Sequence, residues 1–129
     1  MDLKELKKGK VIVFGDIMLD KYLSGSIDRI SPEAPVPVLN PSSEEIRLGG
    51  AANVALNLSS LGVKTTLLGV TGKDDDSEKI IDLLKLNKIR FSLRRSAVST
   101  ISKTRLLSSQ QQLIRIDEEE QFSDADWNA

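Results

Sequence analysis

The chain has 129 residues, 40% hydrophobic and 29% charged, with a formal net charge of −1, which suits one globular domain able to bury a core. That balance removes any bulk electrostatic argument for nucleic acid or an anionic membrane surface as partner. Cysteine and histidine are both absent, so there is no disulfide framework, no thiolate metal site and no Ser-His or Cys-His catalysis. Any chemistry must run on carboxylates, lysine, arginine, backbone amides or groups of another chain. No apolar run approaches the roughly 20 residues of a membrane span, and no signal-peptide core follows the charged start. The expected location is the cytoplasm, with no membrane partner.

In chain order, KVIVFGD (Lys10–Asp16) reads as a buried strand leaving into a loop. Ile30–Pro41 holds all four prolines, which remove ladder donors, so it is irregular or edge structure and not a central strand. EEIRL (Glu44–Leu48) reads as a short strand. From Gly50 the apolar positions Ala51, Val54, Ala55, Leu58 and Leu61 recur at helical spacing, and Gly62 supplies the stop. Lys64–Gly72 reads as a second buried strand. A second helix follows, with acidic residues in its first turn and Asn87 as its cap. IRFSLRR, SKTRLLSS and QQLIRID then suggest three strands of a meander. The acidic stretch from Asp117 onward shows no final core element. The order predicts an α/β fold: a parallel sheet with flanking helices, plus a small antiparallel piece.

Two places could carry chemistry. Glycine inside a helix is unfavourable by about 0.5–1 kcal/mol relative to alanine, so Gly49-Gly50 at a helix head answers a need of the backbone. The bland need is a tight turn. The functional one is close approach of backbone amides to a ligand at the positive end of a helix. The spacing is neither G-x-G-x-x-G nor a Walker A loop. Asn53 is a local cap or, with its donor and acceptor, a partner for a polyhydroxylated ligand. Asp16 and Asp20 lie at the C-terminal edge of the first strand, where open α/β sheets bind ligands. Either could equally be a turn or loop residue.

GDIMLDKYLSGSIDRISPEAPVPVL (Gly15–Leu39), RLGGAANVALNLSSLG (Arg47–Gly62), LLGVTGKDD (Leu67–Asp75), and SKTRLL with QQLIRID (Ser102–Leu107 and Gln111–Asp117) resemble the N-terminal half of ribokinase-like, PfkB-type sugar kinases. Within that superfamily DRISPEAPVPV (Asp28–Val38) most resembles the heptose 7-phosphate kinases, the kinase domains of bifunctional ADP-heptose synthases. The resemblance implies that all of residues 1–129 are the N-terminal portion of one ribokinase-like domain, with lid segments at about 22–48 and 90–116. It implies a sugar pocket at Asp20, Gly49, Gly50 and Asn53, with Lys103 and Arg105 as candidates for a substrate phosphate. It also implies heptose 7-phosphate as acceptor, a homodimer through the β lid, and ATP and Mg²⁺ as cofactors of the complete enzyme.

The family's Gly-Ala-Gly-Asp motif, which carries the catalytic aspartate, does not occur in the sequence, so no catalytic or metal-binding residue is expected here. The isolated chain is expected to be inactive and to bind no cofactor tightly. Rival readings are another sugar kinase of the superfamily, or a non-catalytic sugar-phosphate binding or dimerisation module.

Overall fold

The computed structural model describes residues 3–128. A single helical turn, α1 (Leu3–Leu6), precedes β1 (Lys10–Phe14). With β4 (Lys64–Thr71) and β5 (Arg90–Arg95), β1 forms a three-stranded parallel sheet in the order β1-β4-β5. The register Val13–Leu67–Phe91 puts these side chains on one face, because strand residues alternate between faces. That face meets α2 (Ala51–Ser60) and α3 (Asp75–Leu86), and the core forms there from Ala52, Ala55, Leu67, Ile80, Leu84 and Ile89.

The other face is open at β1. Ile12 is 67% exposed and Phe14 69%, so β1 is an edge strand with one open side, not the buried strand that its apolar run suggests. A last helical turn, α4 (Asp124–Trp127), brings Trp127 edge-on to Phe14 at a centroid distance of 5.1 Å. The acidic stretch therefore does end in a packed element.

The largest departure from the sequence reading follows Gly15 and Asp16. Where a loop is expected, the chain enters β2 (Ile17–Ile30), a 14-residue strand. It turns at residues 31–36, where the Ser31 amide donates to the Val36 carbonyl, and returns as β3 (Pro37–Gly50). EEIRL is the end of that long strand. β6 (Ile101–Ser108) and β7 (Gln111–Glu118) complete a second sheet in the order β3-β2-β6-β7. β3 is the edge, as its prolines require, and Pro41 sits at a register shift opposite Gly25. The three-strand meander is not formed: IRFSLRR joins the parallel sheet as β5, and of the three runs β6 and β7 alone pair antiparallel. Ile89, Phe91 and Leu93 belong with the core below that sheet, which explains the choice.

Helix α2 also turns its face. Ala52 and Ala55 are buried with Leu56 packed beside them, whereas Val54 and Leu61 are exposed. Gly62 ends the helix at φ +85°, and Asn87 caps α3 through its Nδ2, which donates to the Leu83 carbonyl at 2.8 Å. Ile17, Leu19 and Leu48 carry the core across into the base of the second sheet. Farther along β2, Lys21 ties that sheet to the first turn of α3 through Asp76 at 2.5 Å.

Candidate functional site

Asp20 lies inside β2, opposite Arg47 of β3 and beside Lys103 of β6. Two residues on, Tyr22 shares its face and lies beside Arg105. Asp20 Oδ1 accepts from Arg105 Nη1 at 2.8 Å, and both side chains are mostly buried. That hydrogen bond raises the Arg105 pKa further above the ordinary arginine value, against the opposing effect of desolvation. The other carboxylate oxygen faces Gly49: a Cβ there would stand 2.6 Å from Asp20 Oδ2 and 2.6 Å from Met18 Cγ. Gly49 is a glycine because the carboxylate occupies its side-chain space.

Gly50 answers a different need. Its φ is +56°, in the left-handed region, and a Cβ would lie 2.3 Å from the Asp16 carbonyl oxygen. That carbonyl accepts from the Ala51 amide at 2.8 Å, fixing where α2 begins. No side chain caps the helix, so Asn53 is not its N-cap. Asn53 is exposed and lines a cavity of about 300 Å³ together with Asp20. Tyr22, Arg47, Ile46, Leu48, Leu56, Leu83 and Asn87 complete the wall.

The structure thus brings Asp20, Gly49, Gly50, Asn53 and Arg105 into one neighbourhood. Lys103 turns elsewhere, its Nζ lying 3.1 Å from Glu119 and 3.3 Å from Asp117. Hydrogen bonds to Glu119 and Asp117 raise its pKa above the ordinary lysine value. Among the described residues, no group of three or more carboxylates is placed to hold a metal ion. The sequence reading passed over Tyr22 and Arg47. Counting two residues from Asp20 along a strand, and two back from Gly49, would have found both.

A second polar cluster fixes the start of α3. Asp74 accepts from the Ser77 amide at 2.9 Å, the Thr100 amide at 2.8 Å and the Thr100 hydroxyl at 2.7 Å. Burial pushes its carboxyl up, but the bonds from Thr100 and Ser77 outweigh that and hold it below the usual aspartate value. Thr100 Oγ1 also accepts from the Gly72 amide at 2.9 Å, and Ser77 and Thr71 share a buried bond of 2.7 Å.

A small parallel sheet with helices on one face thus carries a second sheet, and Asp20 and Asn53 line one cavity. Residues 8–127 match the model of the pfkB family of carbohydrate kinases, and the chain belongs to that family. It is 49% identical over 98% of its length to the bifunctional protein HldE of Methylococcus capsulatus, covering 27% of that protein. It is 50% identical over 88% of its length to the bifunctional protein HldE of Actinobacillus succinogenes, covering 24%. The chain therefore spans about a quarter of the length of these relatives. Among solved structures, a carbohydrate kinase from Agrobacterium tumefaciens superposes with a TM-score of 0.71 at 22% identity, over 85% of this chain and 35% of that one. Ribokinase from Giardia lamblia superposes at 0.66 and 16% identity, over 85% of this chain and 36% of the other. These likenesses show the ribokinase-like α/β fold.

Proposed function

We propose that this chain forms the acceptor-sugar part of a kinase that phosphorylates D-glycero-D-manno-heptose 7-phosphate at its anomeric hydroxyl. The product would be the 1,7-bisphosphate, used in the cytoplasm to make ADP-heptose for lipopolysaccharide core. The observation that carries this reading is the meeting of the Asp20 carboxylate and the Asn53 amide at one cavity, with Gly49 leaving room for the carboxylate. The 47–50% identity to bifunctional HldE proteins over most of the chain supports the choice of sugar.

Asp20 and Asn53 would hold sugar hydroxyls, with Gly49 and Gly50 setting the approach. Arg105 and Lys103 would serve the substrate phosphate, Lys103 exchanging Glu119 and Asp117 for it. ATP and Mg²⁺ enter only through the family. The described residues offer neither a glycine-rich phosphate loop nor converging carboxylates, so no step through them is assigned to this chain.

The second sheet would act as a lid over the sugar and as a homodimer surface. Val36, Leu113, Ile114 and Ile116 are exposed, and Ile114 lies beside Leu106 across the β6–β7 register. Sedimentation showing a monomer at high micromolar concentration would remove the dimer.

The test of the site is ADP release by the complete gene product with heptose 7-phosphate. A hydrogen bond to a charged group is worth about 1.5–3 kcal/mol, so Asp20→Ala is expected to lower kcat/KM at least about tenfold. Asn53→Ala should lower it less. If Asp20→Ala melts lower while keeping full sugar affinity, the aspartate is scaffolding and the pocket is misplaced.

A further inference from the structure

The ring of Tyr22 collects two guanidinium groups. Arg47 reaches it from β3, its Cζ lying 4.7 Å from the ring centroid, and Arg105 reaches it from β6 at 5.1 Å. β2 runs between those two strands, so the cations arrive from opposite sides of one aromatic side chain. Like charges repel, and a neutral ring with a π-face on either side can hold two guanidiniums near each other. Both Tyr22 and Arg47 line the cavity that Asp20 and Asn53 share.

Neither guanidinium is saturated. Arg47 donates from Nε to Glu45 at 2.7 Å, and Arg105 from Nη1 to Asp20 at 2.8 Å. Each fork has five N–H donors, so the remaining N–H groups are available to a planar or tetrahedral anion. The Glu45–Arg47 pair is 61% and 57% exposed, the kind of surface pair that contributes little and yields easily to a better acceptor. The Asp20–Arg105 pair is more enclosed and holds Arg105 in place. Lys103 could join them only by giving up the two carboxylates that it already faces.

We propose that Arg47 and Arg105, gathered at the Tyr22 ring, bind the phosphate of a phosphorylated sugar whose hydroxyls lie at Asp20 and Asn53. This rests on the sugar-kinase reading above and deepens it. It makes Arg47 a specificity-determining residue and Tyr22 a positioning residue. Two guanidinium forks supply paired donors to phosphate oxygens, which neutral sugar hydroxyls cannot use as strongly. The preference for a phosphorylated over an unphosphorylated acceptor is thereby built into the second sheet, one guanidinium coming from each neighbour of β2.

The test uses the complete gene product and two probes, D-glycero-D-manno-heptose 7-phosphate and the same heptose without phosphate, each followed by binding and by ADP release. Arg47→Gln alters an exposed side chain and should leave the melting temperature in place. It is expected to lower the preference for the phosphorylated sugar at least about tenfold, through KM and not kcat. Tyr22→Leu is expected to lower the same preference, and Tyr22→Phe, which keeps the ring, to restore it. If the wild type discriminates between the two sugars and Arg47→Gln discriminates equally well, the phosphate is held elsewhere and the proposal is overturned. If the wild type releases ADP with neither sugar, the sugar-kinase reading fails and the phosphate site falls with it.

Discussion

At the scale of single residues, the two adjacent glycines separate into two jobs that mutation can tell apart. A methyl group at Gly49 meets side-chain atoms, Asp20 Oδ2 and Met18 Cγ, so Gly49→Ala should displace the carboxylate and raise KM for the sugar. Its melting temperature should fall less than that of Gly50→Ala. A methyl group at Gly50 meets the Asp16 backbone instead and is asked to hold φ +56°. Left-handed backbone costs a non-glycine residue about 1–2 kcal/mol, so Gly50→Ala should lower the melting temperature by several degrees. Paired KM and thermal measurements decide whether the split holds. Asp74 gives a pH signature. Its native carboxyl lies below the ordinary 3.8 because the hydrogen bonds outweigh burial, so its contribution is complete above that pH. It is lost as the pH falls below 3.8 through the native value. Replacing it removes an N-cap worth about 0.5–2 kcal/mol as well as the tie to Thr100. Asp74→Ala should therefore be less stable than wild type at neutral pH, with the gap closing in acid, as denaturant midpoints across pH would show.

At the scale of elements, the sequence was legible where an element buries one face and obscure where it does not. α3 was readable from its acidic first turn and its Asn87 cap, and both are present. β2 was not, because Asp20, Lys21, Tyr22, Ser24 and Gly25 interrupt its apolar signal. A strand standing clear of the core has no reason to keep a hydrophobic side along its whole length. The alternation of buried Ile17 and Leu19 with Met18 and Asp20 was the available clue, and it runs for only two repeats. Asp20 was expected at the end of the first strand and lies within the second. Arg105 was singled out, while its partnership with Asp20 depends on β2 pairing with β6, which no local pattern shows. The bulge in the β2–β3 ribbon offers a test. A Cβ on Gly25 would sit 2.1 Å from the Asn40 carbonyl oxygen, a backbone atom that cannot swing away. Gly25→Val should open the outer ribbon while the parallel sheet persists, seen as fast amide exchange in β2 and β3 beside unchanged protection in β4.

At the scale of the whole molecule, one layer of helices serves the parallel sheet, and Ile12 and Phe14 remain on its open side. An apolar surface of that kind is an association hazard. Ile12→Thr with Phe14→Thr should reduce dye binding and self-association of the 129-residue chain at micromolar concentration, and unchanged behaviour would place the sticky surface on β7 instead. The parallel pairing of β2 with β6 has a consequence in time. Met18 meets Ile101, so the chain must close a loop holding β3, α2, β4, α3 and β5 before these two strands can align. The β2–β3 and β6–β7 hairpins are local and can form early, but joining them waits on long-range closure, the slow step of such topologies. The contact between Asp20 and Arg105 spans that late seam. Molecules caught before the seam closes have two hairpins and no Asp20–Arg105 pair, so under the proposed acceptor site sugar binding would report on completed folding, and a bound sugar would draw the last strands together.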